Sequence, residues 1–179
     1  MPQPFRITTP RLQLRGWKVT DRPAFERLVN DSEMMRFISD GAPWNEAKIS
    51  EFSTRQAHNL ERHGYCIGAL ILQETNEVIG VAGLQPQLLA GEDELAWWVG
   101  RDWQRRGYAS EIGLACLRYG IDVLRRRRIV ALAHPANKAS LRVMRNIGMH
   151  YLDTVNARSL EARYPDTPVA RYAFVVPAE

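Results

Sequence analysis

The chain has 179 residues, 45% of them hydrophobic and 25% charged, which fits a single soluble domain spanning residues 1–179 and excludes a disordered chain. Basic residues outnumber acidic ones by 24 to 20, and all but three of the 24 are arginine; a net charge of +4 suits a nucleic acid or, equally, a small anionic ligand. The longest apolar stretch, Tyr65–Leu72, falls far short of the roughly 18 residues of a membrane span, no basic-then-apolar leader follows Met1, and Cys66 and Cys116 are too few for a disulfide scaffold or a cysteine-rich zinc module, so a cytoplasmic protein away from the membrane is expected.

In chain order, the alternation in Arg11-Leu12-Gln13-Leu14-Arg15 predicts a first strand. Thr20 or Asp21 is then placed to cap a helix with Pro23 in its first turn and Phe25, Leu28 and Val29 as its apolar stripe. A second short helix holds Met34, Met35, Phe37 and Ile38 before Asp40-Gly41, and Asn45–His63 has helical composition. Tyr65–Leu72 and Val78–Leu84 read as a hairpin turning at Thr75-Asn76, a loop runs through Pro86 and Gly91, and Glu94–Val99 is a fourth strand. Tyr108, Ile112, Ala115, Tyr119 and Val123 recur at helical spacing. Ile129–Ala133 reads as a buried strand, and Asn137–Ile147 as a helix closed by Gly148. Met149–Thr154 and Val169–Val176 form a last pair of strands. The order is mixed α/β.

The densest chemical signal is Trp103-Gln104-Arg105-Arg106-Gly107-Tyr108-Ala109-Ser110, between a predicted strand and a predicted helix. Gly107 and Ala109 allow close backbone approach, the N–H groups of a helix start attract an anion, and Arg105 and Arg106 add charge. The spacing is neither that of a Walker loop nor that of a dinucleotide fingerprint, and a turn carrying a solvated arginine pair explains the local pattern equally well. His58, His63, His134 and His150 show no ligand spacing, so no metal is expected. Arg125–Arg128 ends a predicted helix, where cations favour the helix dipole, and is read as a solvated helix end ahead of a nucleic-acid patch.

A second motif settles the reading. Asn137 and Ser140 precede a helix that runs to Gly148-Met149, while Gln104, Gly107 and Ala109 fall in the register Gln/Arg-x-x-Gly-x-Gly/Ala. With Thr9-Pro10-Arg11-Leu12-Gln13-Leu14-Arg15 at the start and Glu94-Leu95-Ala96-Trp97-Trp98-Val99 ahead of the loop, the chain resembles the GNAT N-acetyltransferase family over nearly its whole length. It is nearest to the RimJ/RimL-like branch that acetylates ribosomal-protein N-termini. The resemblance implies a mixed, mostly antiparallel sheet of about seven strands flanked by helices and splayed between the fourth and fifth strands. It also implies acetyl-CoA as cosubstrate and an amine as acceptor, either a protein N-terminus or a small molecule, in a monomer or a homodimer.

By that resemblance a bulge in the fourth strand exposes backbone at Trp97, Trp98 and Val99 to pantetheine, and the N–H of Trp98 or Val99 faces the thioester oxygen. The pyrophosphate lies on the N–H groups of Arg105, Arg106, Gly107, Tyr108 and Ala109, with Ser110 opening the helix. Asn137 bonds the pantetheine arm, and Arg142 or Arg145 meets the 3′-phosphate. An alkylammonium, with a pKa of about 10, must lose a proton before it attacks. Glu94 is the first candidate base and Asp93 the second; strand alternation lets only one of them reach the cleft. Many family members place a tyrosine proton donor where this chain has Met144, so Ser140 is the candidate acid in its place. Asn137 also reads as a plain helix cap. Rival readings are a non-catalytic acyl-CoA-binding module of the same fold and, behind it, a basic nucleic-acid-binding domain.

Overall fold

The computed structural model describes residues 5–89, 92–160, 162 and 164–177. Among these residues eight strands form one sheet, in the order β1-β2-β3-β4-β5-β6-β8-β7. A hairpin of β1 (Arg6–Thr8) and β2 (Leu12–Arg15) opens it. Leu12 and Leu14 of β2 are fully buried, while Gln13 and Arg15, on the opposite face, are half-buried, as the alternation requires. β3 (Ile67–Leu72), β4 (Glu77–Leu89) and β5 (Glu92–Val99) continue antiparallel. β6 (Arg128–Ala133) pairs parallel with β5, and β7 (His150–Asn156) and β8 (Pro168–Val175) complete the far side.

One face is covered by α1 (Arg22–Asn30), α2 (Ser32–Met35) and α3 (Glu46–His63), which bury Phe25, Met35, Trp44 and Phe52 against the sheet. Asn45 caps α3 through Lys48 N–H, and Gly64 closes it at φ 80°. The other face carries α4 (Tyr108–Arg118) and α5 (Lys138–Asn146), with Ile112, Cys116 and Met144 in the core. A short α6 (Ala157–Leu160) follows β7.

Five expectations change, the first being that α2 stops at Met35, so that Phe37 and Ile38, read as helical, lie in the turns that follow. The sheet has an eighth strand, β1, whose three residues are too short to show a period. The segment read as a loop after Leu84 is strand on both sides: β4 runs to Leu89, and β5 starts at Glu92. Pro86 sits where the β4–β5 register shifts, between Gln85 and Leu89, off the regular ladder where a residue without N–H is tolerated. Neither Thr20 nor Asp21 caps α1 by its side chain; Asp21 accepts instead from Lys18 N–H at 2.7 Å and from both terminal nitrogens of Arg15 at 2.7 and 2.9 Å. Val123, expected on the buried stripe, is exposed because α4 ends in a π turn over Tyr119–Val123 that shifts the helical phase.

Candidate functional site

β5 and β6 pair at Asp93 with Ile129 and at Glu94 with Val130. Beyond those residues β5 stays on β4 as far as Val99, and β6 stays on β8 as far as Ala133, so the sheet opens as a wedge. This is the splay expected between the fourth and fifth predicted strands, which become β5 and β6 once β1 is counted. A cleft of about 1150 Å³ occupies the wedge, walled by α2, α3, α4 and α5. Phe37 stacks on His134 across it, with ring centroids 5.4 Å apart.

The bulge expected in the strand of Trp97 and Trp98 is not there. The register of β5 against β4 is unbroken from Glu94 to Val99, and the shift falls in β4. Gly100 N–H donates to the carbonyl of Ile79, the residue directly opposite in register. In an antiparallel ladder the bonded pairs recur every second residue, so Trp98 turns its N–H toward Val81, while Trp97 and Val99 turn theirs toward the open wedge. Gln104 Nε2 donates to the Val99 carbonyl at 2.9 Å, which agrees with that alternation. The Gln104 amide therefore ties the loop to the end of β5. The two indoles part: Trp98 packs edge-on to Trp44, while Trp97 lies on the α4 side, 3.8 Å or less from the Cβ position of Gly113.

The loop ahead of α4 turns through left-handed backbone at Arg105, φ 61°, and at Gly107, φ 81°. Glu111 N–H to Gly107 O is the first bond of the helix, so the N–H groups of Tyr108, Ala109 and Ser110 have no intrahelical acceptor. Arg105, Gly107, Tyr108, Ala109 and Ser110 all line the cleft. The exposed Arg106 does not; its carbonyl is held by Arg11 Nη1 at 2.9 Å. Space for a Cβ at Gly107 exists but lies 3.4 Å from Arg11 Nη2, so glycine is needed there chiefly for its φ. Sequence reasoning assigned no role to Arg11, though it stands in the quoted opening motif.

Asn137 caps α5, its Oδ1 accepting from Ser140 N–H at 3.1 Å. Asn137, Ser140 and Arg142 line the cleft, whereas the exposed Arg145 is not among the lining residues. Met144, 1% exposed, is part of the same wall.

Asp93 and Glu94 face opposite ways, as alternation demands. Asp93 is fully buried away from the wedge, where its Oδ2 accepts from Tyr65 Oη and from Arg126 Nε, both at 2.8 Å. Burial pushes the Tyr65 hydroxyl up to about 12. The hydrogen bonds that Arg126 donates to Tyr65 Oη and to Asp93 raise its guanidinium further above its usual value. Glu94 lines the cleft, and Tyr164 Oη donates to its Oε2 at 3.2 Å. Tyr164 was not foreseen, because seventy residues separate it from Glu94. Burial pushes the Cys66 thiol up to about 12 and raises that of Cys116 as well, and neither lines the cleft. In the Arg125–Arg128 run, Arg126 is bound to Asp93 and Arg128 to Glu92 at 2.7 Å. No group of three or more His, Cys, Asp or Glu side chains is placed to hold a metal among the described residues, and no described helix is long and apolar enough to cross a membrane.

Residues 11–150 match the family model for the acetyltransferase (GNAT) domain. Over 143 residues the chain is 31% identical to the uncharacterized N-acetyltransferase YnaD of Bacillus subtilis (strain 168), covering 80% of this chain and 81% of that one. Among solved structures, a GNAT-family acetyltransferase from Bacillus anthracis superposes with a TM-score of 0.78 at 25% identity, covering 96% and 98% of the two chains. RimL, a ribosomal L7/L12 alpha-N-protein acetyltransferase solved with coenzyme A, gives 0.78 at 20% identity, covering 98% and 100%, a likeness of fold.

Proposed function

The chain belongs to the GNAT acetyltransferase family and is an N-acetyltransferase; from that premise we propose that it transfers the acetyl group of acetyl-CoA to a primary amine by direct attack, with both substrates bound at once. The observation that carries this reading is the wedge between β5 and β6, with the glycine-led start of α4 at its mouth. The residues present fit the cosubstrate. Backbone N–H groups from Gly107 to Ser110 and the side chain of Arg105 suit a pyrophosphate. The open edge of β5 at Trp97 and Val99 suits an extended amide-bearing arm, with Asn137 across from it. Arg142 lines the cleft and Arg145 does not, which favours Arg142 for a further phosphate. Acetyl-CoA supplies an activated thioester carbonyl.

The protein's part is to position the reactants and move protons. The Val99 N–H, directed into the wedge, offers a fixed donor where negative charge develops on the carbonyl oxygen. Glu94 accepts the proton of the incoming ammonium, directly or through water, with the Tyr164 hydroxyl holding its carboxylate. Ser140 serves the departing sulfur, because Met144 has no proton to give. A cysteine-linked route has no nucleophile, since both thiols are buried. The acceptor enters from the side of α2 and α3, past Phe37, Trp98 and Glu94. A thiol-release assay with acetyl-CoA against N-terminal peptides and small-molecule amines tests the proposal. Amine-dependent release of CoA is expected; acetyl-CoA binding without release for any amine would leave a binding module and overturn the transfer reading.

A further inference from the structure

The opening stretch Thr9–Arg15 takes no part in the chemistry above, yet its Arg11 reaches the α4 loop. Arg11 Nε donates to Glu111 Oε2 at 2.7 Å, Nη1 donates to the Arg106 carbonyl at 2.9 Å, and the guanidinium carbon lies 4.6 Å from the centroid of the Tyr108 ring. One side chain thus touches the first turn of α4, the loop before it and the ring that opens the helix. Glu111 is fixed in turn: its Oε1 accepts from Thr9 Oγ1 at 2.6 Å and from Arg11 N–H at 3.1 Å. These contacts join residues about one hundred positions apart.

We propose that Arg11, seated on Glu111, is a positioning residue that holds the phosphate loop with the Gly107 N–H directed at the cosubstrate. The geometry follows from the peptide unit. The Arg106–Gly107 bond is trans, so its carbonyl and its N–H point in opposite directions. Anchoring the carbonyl on Arg11 sends the Gly107 N–H away from β2, into the cleft that Gly107 lines. The loop needs such a hold because Arg105 is in left-handed backbone, which a side chain disfavours. Glu111 neutralises the Arg11 charge across a 2.6 Å ion pair, so Arg11 acts through shape more than through attraction for an anion. A lysine would keep the charge but lack the planar fork that spans a carboxylate and a carbonyl at once.

This inference rests on the assignment of the loop to the pyrophosphate of acetyl-CoA, and the test separates the two. Steady-state kinetics of the full chain are compared with acetyl-CoA and with acetyl-pantetheine, which lacks the pyrophosphate. Wild type preferring acetyl-CoA supports the loop assignment; equal use of both thioesters overturns it, and the positioning role with it. Given that preference, Arg11→Met is expected to raise KM for acetyl-CoA about tenfold or more, with kcat nearly kept and acetyl-pantetheine turnover unchanged. Arg11→Lys is expected not to restore the loss. An equal loss with both thioesters, no loss with either, or full rescue by lysine would overturn the positioning role. Should Arg11→Met fail to fold, Glu111→Gln, which removes the charged seat of Arg11, carries the same comparison.

Discussion

Glu94 and Asp93 are neighbours in sequence, but they sit on opposite faces of β5, and their surroundings assign them different work. Asp93 is spent on Tyr65 and Arg126, whereas Glu94 meets the cleft and the Tyr164 hydroxyl. Glu94→Gln is expected to lower turnover about 10²-fold or more near neutral pH, with acetyl-CoA affinity kept. The deficit should shrink as pH approaches the pKa of the acceptor amine, where the base is no longer needed; a pH–rate profile parallel to that of wild type would exclude Glu94 as the base. Ser140 offers a cleaner substitution than its place in a helix cap suggests, because Asn137 bonds the Ser140 N–H and not its hydroxyl. Ser140→Ala therefore keeps the cap, and its melting temperature should stay close to that of wild type. Turnover should fall about 10²-fold if the hydroxyl serves the leaving sulfur, while normal turnover would mean that the thiolate departs unaided.

Under the proposed function, cosubstrate binding turns on the loop-to-helix junction before α4. Gly107 holds φ 81°, and a side chain there is strained by about 1–2 kcal/mol, more for a β-branched one, besides pressing toward Arg11. Gly107→Val is expected to leave the sheet and both cores folded and to abolish measurable acetyl-CoA binding by calorimetry. Unchanged affinity in a folded variant would remove the loop from the site. The neighbouring strand shows how pairing, not composition, exposes a donor. Trp97 and Val99 turn their N–H groups to the wedge because β4 takes the alternate set, and the bulge expected there is replaced by divergence of β5 from β6 past Glu94.

The response of the whole molecule to acid depends on carboxylates held in ion pairs, one of them local, Asp21 with Arg15, and one long-range, Glu111 with Arg11. Burial would push the Asp21 carboxyl up, but the hydrogen bonds from Arg15 and from Lys18 N–H outweigh it and leave it below the usual range. Glu111 is likewise lowered, burial being outweighed by Thr9 and Arg11. A carboxylate depressed on folding contributes stability that is complete above its unfolded value, about 3.9 for Asp and 4.3 for Glu, and that is lost as pH falls through the lower folded value. The urea midpoint should therefore hold between pH 7 and pH 5 and decline below about pH 4. Asp21→Asn should cost about 1–3 kcal/mol at pH 7 and flatten the acid limb; an unaltered limb would mean that Asp21 does not contribute to it. What could be read along the chain was whatever local physics controls: the alternation of β2, the Asn137 cap, the glycine at position 107, and the opposite faces of Asp93 and Glu94. A cap, a turn or a strand face depends on residues within a few positions, so it leaves its mark in the order of amino acids. The contact of Tyr164 with Glu94, the seating of Arg11 on Glu111, the presence of Arg142 but not Arg145 in the cleft wall and the strand hidden around Pro86 left no such mark. Each depends on which distant segments the sheet and its covering helices bring together, and that is set by the burial of two cores on opposite faces of one sheet, not by any short stretch of chain.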